Sequence, residues 1–417
     1  MQLTEPDAAL LHQIADLPQW HAIARLGVAV SGGSDSMSLL HLLAHAASAR
    51  GVGLEVATVD HGLRPEATEE ARLVAEACAA LGLRHDTLSW TGWTGTGNLQ
   101  AEARAARYRL LADWARARGL DAVALAHTRD DQAETFLLRL ARQAGVDGLA
   151  AMAGEIKRGG MRFWRPVLGC TRAELRAFLE RRGVTWSDDP SNEDPAYDRV
   201  RVRAALDTLA GLGIDRATLA GVAAILGDAS RALKRTTHDL AAGIARVEAG
   251  DVVIDRAALA SADPEIARRL LVAALVWVAV SEYPPRRAAV AELISAIAED
   301  RGHTLHGCRV TSDQDFVRIS RELAAVQGLE TPFGAEWDGR WRLAGPGTGG
   351  VVRALGEAVT DCPDWRETGL PRATLMVSPA LWRGETLVAA PLAGFGAGYS
   401  ATIDHPAGDF AGSVLSH

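Results

Sequence analysis

The chain of 417 residues contains very little lysine. Only Lys157 and Lys234 are lysines, so its 44 basic residues are almost all arginine. Arginine carries a planar guanidinium that matches phosphate and carboxylate groups bidentately, whereas lysine offers a point charge. This bias predicts that any phosphate or nucleic-acid backbone is held by arginine forks.

Cysteines are also few and widely spaced. The four thiols form no C-x-x-C pair; they are Cys78, Cys170, Cys308 and Cys362. Such spacing excludes a zinc-ribbon site and a disulfide framework, and it is typical of a reducing compartment.

The sequence has no long apolar run. Its longest candidate, Leu270 to Val280, is about half of the roughly 20 residues that a spanning helix needs. The segment from Met1 to Ala15 carries Glu5 and Asp7 and no basic stretch, so no secretory signal is evident. We therefore expect a cytoplasmic protein without a membrane contact.

The charge balance is 44 basic against 52 acidic residues, a formal charge of −8, which argues against coating nucleic acid through bulk charge. The 48% hydrophobic and 23% charged fractions are those of a globular protein. At roughly 150 residues per domain, the length predicts two or three domains.

Residues 24–143 alternate between short apolar runs and longer helical patterns. Strands are predicted at 26–30, 54–59, 85–90 and 122–126, with helices over 37–49, 65–81, 98–118 and 128–142. This alternation predicts an α/β fold with a doubly wound parallel sheet. Ligands of such sheets bind beyond the carboxyl ends of the strands, where Ser31, Asp60 and His127 fall.

The later part of the chain has a different pattern. Residues 156–168 predict a hairpin turning at Gly159-Gly160, and Thr171 with Glu174 predicts a capping box. A Pro- and Asp-rich loop follows at 187–198. Residues 203–300 are mostly helical in pattern, 304–345 favour short strands, and the end predicts a small β-containing domain. We expect domains over 1–205, 206–330 and 331–417.

The strongest chemical signal is a Ser/Gly loop between the first strand and the first helix of the alternation. Its backbone N–H groups and hydroxyls would converge on an anion. It lacks the lysine of a Walker A loop, which suits a leaving pyrophosphate of ATP, with Asp35 placed to hold Mg²⁺. A purely structural turn is the alternative. The predicted ATP-binding residues of this loop are Ser31, Gly32, Gly33, Ser34, Asp35 and Ser36.

A second signal is the run from His127 to Thr135 after the fourth strand. Asp131 and Glu134 are three residues apart near a helix start, so both carboxylates could bind an amine or a metal. Helix capping is the alternative, because acidic residues are favoured in a first turn and Thr128 and Asp131 have the spacing of a capping box.

Other polar groups are weaker signals. Arg104 and Arg107 share a helix face that could clamp phosphate, although a solvated face is the simpler interpretation. Asp60 and His61 follow the second strand and could line an adenine pocket. Residues 157–182 hold eight basic and two acidic side chains, 8 − 2 = +6, which could bind a nucleic-acid backbone or form an ordinary basic surface.

These blocks together resemble a known family. The loop at 31–36 is similar to the PP-loop of the N-type ATP pyrophosphatases. Further blocks then follow in the order seen in the tRNA(Ile)-lysidine synthetase family. They are Val59-Asp-His-Gly-Leu-Arg64, Asn98-Leu-Gln-Ala with Ala-Arg107-Tyr108, His127-x-x-Asp-Asp-Gln-Ala-Glu-Thr135, Gly145-x-Asp-Gly-Leu-Ala-Ala-Met152, and Asp188-Asp-Pro-Ser-Asn192 with Tyr197-Asp-Arg199.

The resemblance implies a ligase that uses ATP and Mg²⁺ to join L-lysine to the wobble cytidine of a CAU-anticodon isoleucine tRNA. It implies adenylation of the cytosine carbonyl at ring position 2, followed by displacement of AMP by the lysine ε-amine. Asp35, Arg107, Asp131 and Glu134 would then be catalytic, with His127, Asp131 and Glu134 holding lysine. The residues expected to contact tRNA are Lys157, Arg158, Arg162, Arg165, Arg199, Arg201 and Arg203.

The sequence departs from the family pattern at one position, because Val200 stands where the family usually has Asn. Whatever that Asn contributes to tRNA contact or loop geometry is therefore in doubt. Two other functions remain open at this point. A PP-loop tRNA thiolase would need catalytic or cluster-binding cysteines, which the scattered thiols disfavour. A non-catalytic tRNA-binding module would have no need of the intact acidic residues.

Overall fold

A computed structural model describes residues 4–62, 66–91, 93, 98–188, 198–347 and 349–416. The contacts divide the chain into two compact units, Met1–Ser230 and Arg231–His417. The predicted boundaries at 205/206 and 330/331 remain predictions.

The first unit alternates helices and strands. Its elements in chain order are α1 (Glu5–Ala15), β1 (Arg25–Ala29), α2 (Ser34–Arg50), β2 (Gly53–Asp60), α3 (Glu66–Ala80), β3 (Arg84–Ser89), α4 (Leu99–Arg118), β4 (Ala122–Ala124), α5 (Arg129–Ala141), α6 (Val146–Leu149), β5 (Glu155–Arg158), β6 (Met161–Trp164), α7 (Arg172–Arg181), α8 (Asp198–Ala210) and α9 (Arg216–Ile244), which continues into the second unit.

These strands form one six-stranded sheet in the order β3-β2-β1-β4-β6-β5. All neighbours pair in parallel except β5, which pairs antiparallel with β6. The predicted doubly wound sheet is thus confirmed, as is the hairpin turning at Gly159 and Gly160. The strand order reverses between β1 and β4, and crevices at such points are where ligands bind.

Helices cover both faces of the sheet because its inner strands, such as β1 and β4, bury apolar side chains on both sides. On one face, Leu40 of α2, Val74 of α3 and Phe178 of α7 pack into one core. On the other face, α4 packs against the sheet through Trp114. Gly27 permits this approach, since a Cβ there would lie 2.6 Å from the Trp114 ring.

The connection from β1 to α2 determines the geometry of the Ser/Gly loop. Gly32 has a φ of +89°, in the left-handed region that glycine adopts without strain, and Gly33 is the N-cap of α2. The helix begins at Ser34, three residues before the predicted start at Met37. The hydroxyl-bearing loop and the first helical turn are therefore continuous.

Besides the end of α9, the second unit contains six α-helices and twelve strands among its described residues. They are β7 (Ala245–Glu248), β8 (Asp251–Asp255), α10 (Arg256–Ser261), α11 (Pro264–Ala279), α12 (Arg287–Ala298), β9 (His303–Leu305), β10 (Cys308–Ser312), β11 (Phe316–Arg321), α13 (Leu323–Val326), β12 (Thr331–Pro332), β13 (Glu336–Trp337), β14 (Trp341–Ala344), β15 (Val351–Ala354), α14 (Arg372–Met376), β16 (Pro379–Arg383), β17 (Thr386–Ala389), β18 (Ser400–Ile403) and α15 (Phe410–Ser416).

Three antiparallel sheets organise this unit, in the orders β7-β8-β11-β10-β9, β12-β15-β16-β17 and β13-β14-β18. The mostly helical segment and the β-rich end match the predicted fold class. One hairpin, β7-β8, lies inside the segment predicted to be helical. Ala249 and Gly250 both have positive φ there, as a tight two-residue hairpin turn requires.

None of the helices in the described part of the chain is long and apolar enough to cross a membrane.

Candidate active site

A cavity of about 260 Å³ opens at the carboxyl ends of β1 and β2. Its lining includes Ser31 from the loop, His61 from the end of β2 and Arg107 from α4, three of the residues predicted to hold ATP. Thr58 and Glu70 complete the polar part of the wall. The cavity thus brings together predicted groups that are up to 76 positions apart in sequence.

The Ser/Gly loop is braced by its own hydroxyls. The Ser36 hydroxyl donates to the Gly33 carbonyl (3.0 Å) and accepts from the Ser31 amide (3.1 Å). Gly33 makes no side-chain cap hydrogen bond, which leaves the first amides of α2 without a side-chain acceptor. Helix amides left in this way are suited to an anion such as phosphate.

Asp35 lies in the first turn of α2 and is mostly buried. Its Oδ2 accepts a hydrogen bond from Arg172 Nε at 3.1 Å. Burial raises the pKa of this carboxyl, and the Arg172 guanidinium opposes that rise. A partly exposed carboxylate beside a phosphate-binding loop is a suitable single protein ligand for Mg²⁺.

The described residues offer no cluster of three or more His, Cys, Asp or Glu side chains that could enclose a metal ion. Mg²⁺ usually keeps several waters and binds through one or two carboxylates together with substrate phosphates. Asp35 therefore fits a magnesium ion that arrives with a nucleotide, but not an all-protein metal site.

Asp131 both caps α5 and faces Arg172. Its Oδ2 accepts from the backbone and hydroxyl of Thr128, at 2.8 and 2.9 Å, so the capping box is confirmed. Its Oδ1 lies 3.5 Å from Arg172 Nη2. Capping and site formation are thus compatible, because each uses a different carboxylate oxygen.

Glu134 is one helical turn further along α5, and its side chain is only 2% exposed. Its Oε1 accepts from Arg203 Nε of α8 at 2.6 Å. Its Oε2 is buried and has no hydrogen-bond partner in the described structure. Because an unpaired buried carboxylate oxygen is costly, this atom is available to a donor such as an ammonium group.

Arg172, the first residue of α7, is the group at the centre of these carboxylates. Each of its three guanidinium nitrogens faces a different acid: Nε faces Asp35 (3.1 Å), Nη2 faces Asp131 (3.5 Å) and Nη1 faces Glu134 (3.8 Å). Burial would lower the pKa of this guanidinium, but the three negative charges outweigh it and raise the pKa. The arginine is therefore charged at every physiological pH.

Sequence reasoning did not single out Arg172. It lies 137 positions from Asp35, and in the sequence it was one of eight basic residues in a run. A signal was present in the capping box at Thr171, which fixes where α7 begins and so which arginine lies at its first position.

Comparison with known proteins agrees with this geometry. A family model described as a PP-loop domain matches residues 6–209. A tRNA(Ile)-lysidine synthase from Ruegeria pomeroyi is 52% identical over 395 residues, covering 94% of this chain and 94% of that protein. The chain belongs to the tRNA(Ile)-lysidine synthase family.

Two further matches extend the comparison. A tRNA(Ile)-lysidine synthase from Rhizobium meliloti is 39% identical over 364 residues, covering 82% of this chain and 75% of that protein. A solved U34-tRNA thiolase from Methanococcus maripaludis is 16% identical, with a TM-score of 0.46, and covers 52% of this chain and 78% of that one.

Arg165, which we expected to contact tRNA, is buried with 5% exposure. Its Nε donates to His127 Nδ1 at 3.1 Å, and its Nη1 donates to the Ala153 carbonyl at 2.5 Å. An arginine only donates, so His127 Nδ1 must be the unprotonated nitrogen of the ring. Arg165 therefore orients His127, and it is not part of the nucleic-acid surface proposed below.

The other basic residues of 157–182 do not form one patch in this member of the tRNA(Ile)-lysidine synthase family. Arg162 pairs with Glu155 at 2.7 Å, Arg176 pairs with Asp188 at 2.7 Å, and Arg181 pairs with the buried Asp7. Lys157 is exposed. Arg158 lies with its guanidinium 4.6 Å from the Tyr108 ring centre.

The remaining predicted residues either lie near the site or fall outside the part of the chain that the structure describes. Asp60 accepts from the Gly62 amide and so forms a turn beside the cavity. Arg201 is exposed on α8, whereas Arg203 of the same helix is turned inward to Glu134. The Arg199 side chain, Leu63 and Arg64 of the second block, and the loop at 189–197 lie outside the described residues.

Proposed function

We propose that this chain joins L-lysine to the wobble cytidine of a CAU-anticodon isoleucine tRNA, with ATP converted to AMP and pyrophosphate. The observation that carries the proposal is that Asp131 and Glu134, two acids suited to an amine, face the same Arg172 guanidinium as Asp35, which follows the Ser/Gly loop. The similarity to tRNA(Ile)-lysidine synthases supports the same reaction.

In the first step, the carbonyl oxygen at ring position 2 of the cytidine attacks the α-phosphorus of ATP. The bond to the bridging oxygen breaks, and pyrophosphate leaves with its electron pair. Loop amides and hydroxyls from Ser31 to Ser36 would cradle the pyrophosphate. Arg107, which lines the cavity, would neutralise charge that develops at the α-phosphate.

A magnesium ion held by Asp35 and the phosphates would neutralise phosphate charge when bound. In this step the protein's own residues orient the nucleotide. Gly32 shapes the loop, Asp35 fixes one edge of the nucleotide site, and Arg172 holds that carboxylate in place.

In the second step, the lysine ε-amine attacks ring carbon 2 of the adenylated cytidine, and AMP leaves with the oxygen that was the carbonyl. The amine must lose its proton to be a nucleophile. Glu134 Oε2, buried and unpartnered, is the acceptor that we assign to this proton, and Asp131 Oδ1 would orient the chain of the lysine.

The tRNA contacts that we retain are Lys157, Arg158, Arg162, Arg199 and Arg201; the expected contact Arg203 is withdrawn, because its Nε donates to the buried Glu134. Lys157 and Arg158 lie at the end of β5, and the Arg158 guanidinium lies over the Tyr108 ring. Arginine and lysine contacts to phosphates position a nucleic acid without reading its sequence. We therefore assign these residues to backbone binding and not to choice of anticodon.

The test is product analysis. The protein is incubated with ATP, Mg²⁺, radiolabelled L-lysine and a CAU-anticodon isoleucine tRNA transcript, and the tRNA is digested to nucleosides. We expect label in a modified cytidine at the wobble position, and none with a transcript carrying uridine there. Label at neither transcript, from folded protein that binds ATP, would overturn the proposal.

A further inference from the structure

The Arg172 guanidinium lies beside the place proposed for the lysine amine. It contacts Asp131 and Glu134, the two acids assigned above to lysine, at 3.5 and 3.8 Å. A lysine ammonium at Asp131 Oδ1 and Glu134 Oε2 would compete with this cation for the Asp131 oxygen, and the positive charge facing the other Glu134 oxygen would repel it. The protein thus carries an internal competitor for its own amine substrate.

The same guanidinium also contacts the nucleotide half of the site. Its Nε donates to Asp35 Oδ2 at 3.1 Å, and Asp35 follows directly on the phosphate-binding loop. Only an arginine can face three acids at once through three nitrogens in one plane; a lysine ammonium is a single point of charge. Arg172 thus touches the acids of both half-sites.

The backbone of Arg172 is fixed, so a change of partner needs movement of the side chain alone. Its amide donates to Asp130 Oδ2 at 2.9 Å, and the Arg129 amide donates to the Cys170 carbonyl at 2.8 Å. These bonds tie the start of α7 to the start of α5. The Arg172 side chain is 24% exposed, so it is not locked in place by packing on all sides.

We propose, on the basis of the function proposed above, that Arg172 makes lysine binding depend on nucleotide binding. Without ATP, the guanidinium screens Asp131 and Glu134 and weakens their attraction for an ammonium. Phosphates in the Ser/Gly loop bring negative charge next to Asp35 and draw the guanidinium towards them. The two acids are then exposed to lysine, so ATP binds first and lysine second.

Coupling of this kind has a definite signature in binding. A ligand shifts another site only by its differential affinity for the two arrangements, and typical couplings are 5- to 150-fold. We expect nucleotide to tighten lysine binding about tenfold in the native protein. Removing the competitor should give tight lysine binding without nucleotide.

The experiment is calorimetric titration of L-lysine into the full chain, with and without Mg²⁺ and α,β-methylene ATP, an analogue that cannot release pyrophosphate. The variants are Arg172→Gln, which removes the charge, and Arg172→Lys, which keeps it. The control is Arg25→Ala, which removes an ion pair with Glu55 at the amino end of the sheet, away from the loop. Thermal melting checks that each variant is folded.

For Arg172→Gln we expect lysine to bind without nucleotide at least as tightly as it binds the native protein with nucleotide. The nucleotide effect should disappear. Arg172→Lys should keep part of the effect, because one cation remains, and Arg25→Ala should behave as native. A merely structural role would instead weaken lysine binding in both states.

Two outcomes would overturn the proposal, and they are distinguishable. If Arg172→Gln, still folded, binds lysine no more tightly than native protein does without nucleotide, Arg172 is not a competitor and only this inference fails. If native protein binds no lysine even with the analogue and CAU-anticodon tRNA, the lysine assignment fails and the inference fails with it. A variant too unstable to titrate is replaced by Arg172→Met, which leaves the side chain's volume and removes its charge.

Discussion

At the scale of single residues, Glu134 is the side chain whose chemistry is most sharply defined. One oxygen is used by Arg203, and the other is buried without a partner. Glu134→Gln should preserve the first contact through the amide carbonyl and place an N–H group where the free oxygen was. That N–H would face an ammonium instead of accepting from it.

We expect Glu134→Gln to raise the KM for lysine by about tenfold or more, the order expected for loss of a hydrogen bond to a charged group. The KM for ATP should stay within about twofold, because the described contacts link Glu134 to the loop's Asp35 through Arg172 and not directly. Steady-state kinetics with each substrate varied in turn measures both. Equal increases in the two KM values would contradict the lysine assignment.

Gly32 and Gly33 form a matched pair for testing the loop. Gly32 has a φ of +89°, and a Cβ there would lie 3.3 Å from Glu70 Cβ, whereas Gly33 has ordinary φ and no atom nearer than 3.9 Å. Gly32→Ala should destabilise the fold by about 1–3 kcal/mol and lower pyrophosphate release. Gly33→Ala should be about as stable as the native protein. Urea unfolding measures the free energy of unfolding of both variants and of the native protein. If Gly32→Ala is as stable as Gly33→Ala, the loop conformation does not require glycine at position 32.

At the scale of elements, the start of α7 positions Arg172. The Thr171 hydroxyl and backbone amide each donate to Glu174 Oε2 at 2.7 Å, forming a capping box. Thr171→Ala should cost about 1 kcal/mol of unfolding free energy, as is typical for loss of an N-cap side chain. Denaturant titration at neutral pH measures this difference.

This capping contribution should depend on pH in one direction. Burial raises the pKa of Glu174, but the Thr171 hydrogen bonds outweigh it and hold the pKa below its usual value. A carboxyl with a lowered folded-state pKa stabilises the fold above its unfolded pKa and loses that effect as pH falls through the folded value. The stability gap between native protein and Thr171→Ala should therefore narrow on acidification below the usual glutamate pKa. A gap that widens in acid would contradict the capping assignment.

Elements were predicted well where their signals are local. The periodic runs and the capping boxes at Thr128 and Thr171 depend on neighbouring residues, so the sequence contains all of the information. The β7-β8 hairpin was missed because its two strands are short and its turn, Ala249-Gly250, lacks the usual Asn-Gly or Asp-Gly signal. Pairing with β11 stabilises it, and that contact is distant in sequence.

At the scale of the whole molecule, the basic run at 157–182 shows what a linear count of charge cannot predict. Its net of +6 suggested one nucleic-acid surface, yet its side chains point to different partners. Arg172 enters the active site, Arg165 orients His127, and Arg181 pairs with Asp7 near the N-terminus. The positions of charges in sequence do not give their directions in space, because long-range packing sets those directions.

The cysteines provide a test that distinguishes a lysine ligase from a tRNA thiolase. All four are buried, and burial raises the thiol pKa of Cys78 and Cys170 to about 11, of Cys308 to about 12, and of Cys362 above its usual value. A ligase of this kind needs no thiol. We expect iodoacetamide at neutral pH to leave activity within about twofold, since only the thiolate reacts. Rapid inactivation, protected by ATP, would favour cysteine chemistry at the site.

The most direct test of the central claim is the lysine dependence of AMP formation in one reaction with ATP, Mg²⁺ and CAU-anticodon isoleucine tRNA. The placement of Asp131 and Glu134 around the same Arg172 guanidinium as Asp35 predicts AMP release that rises and saturates with L-lysine, in equal amounts with lysine incorporated into tRNA. Norleucine, which has the carbon chain without the ε-amine, should not replace lysine. AMP release that is unaffected by lysine, or that norleucine supports equally, would contradict the account.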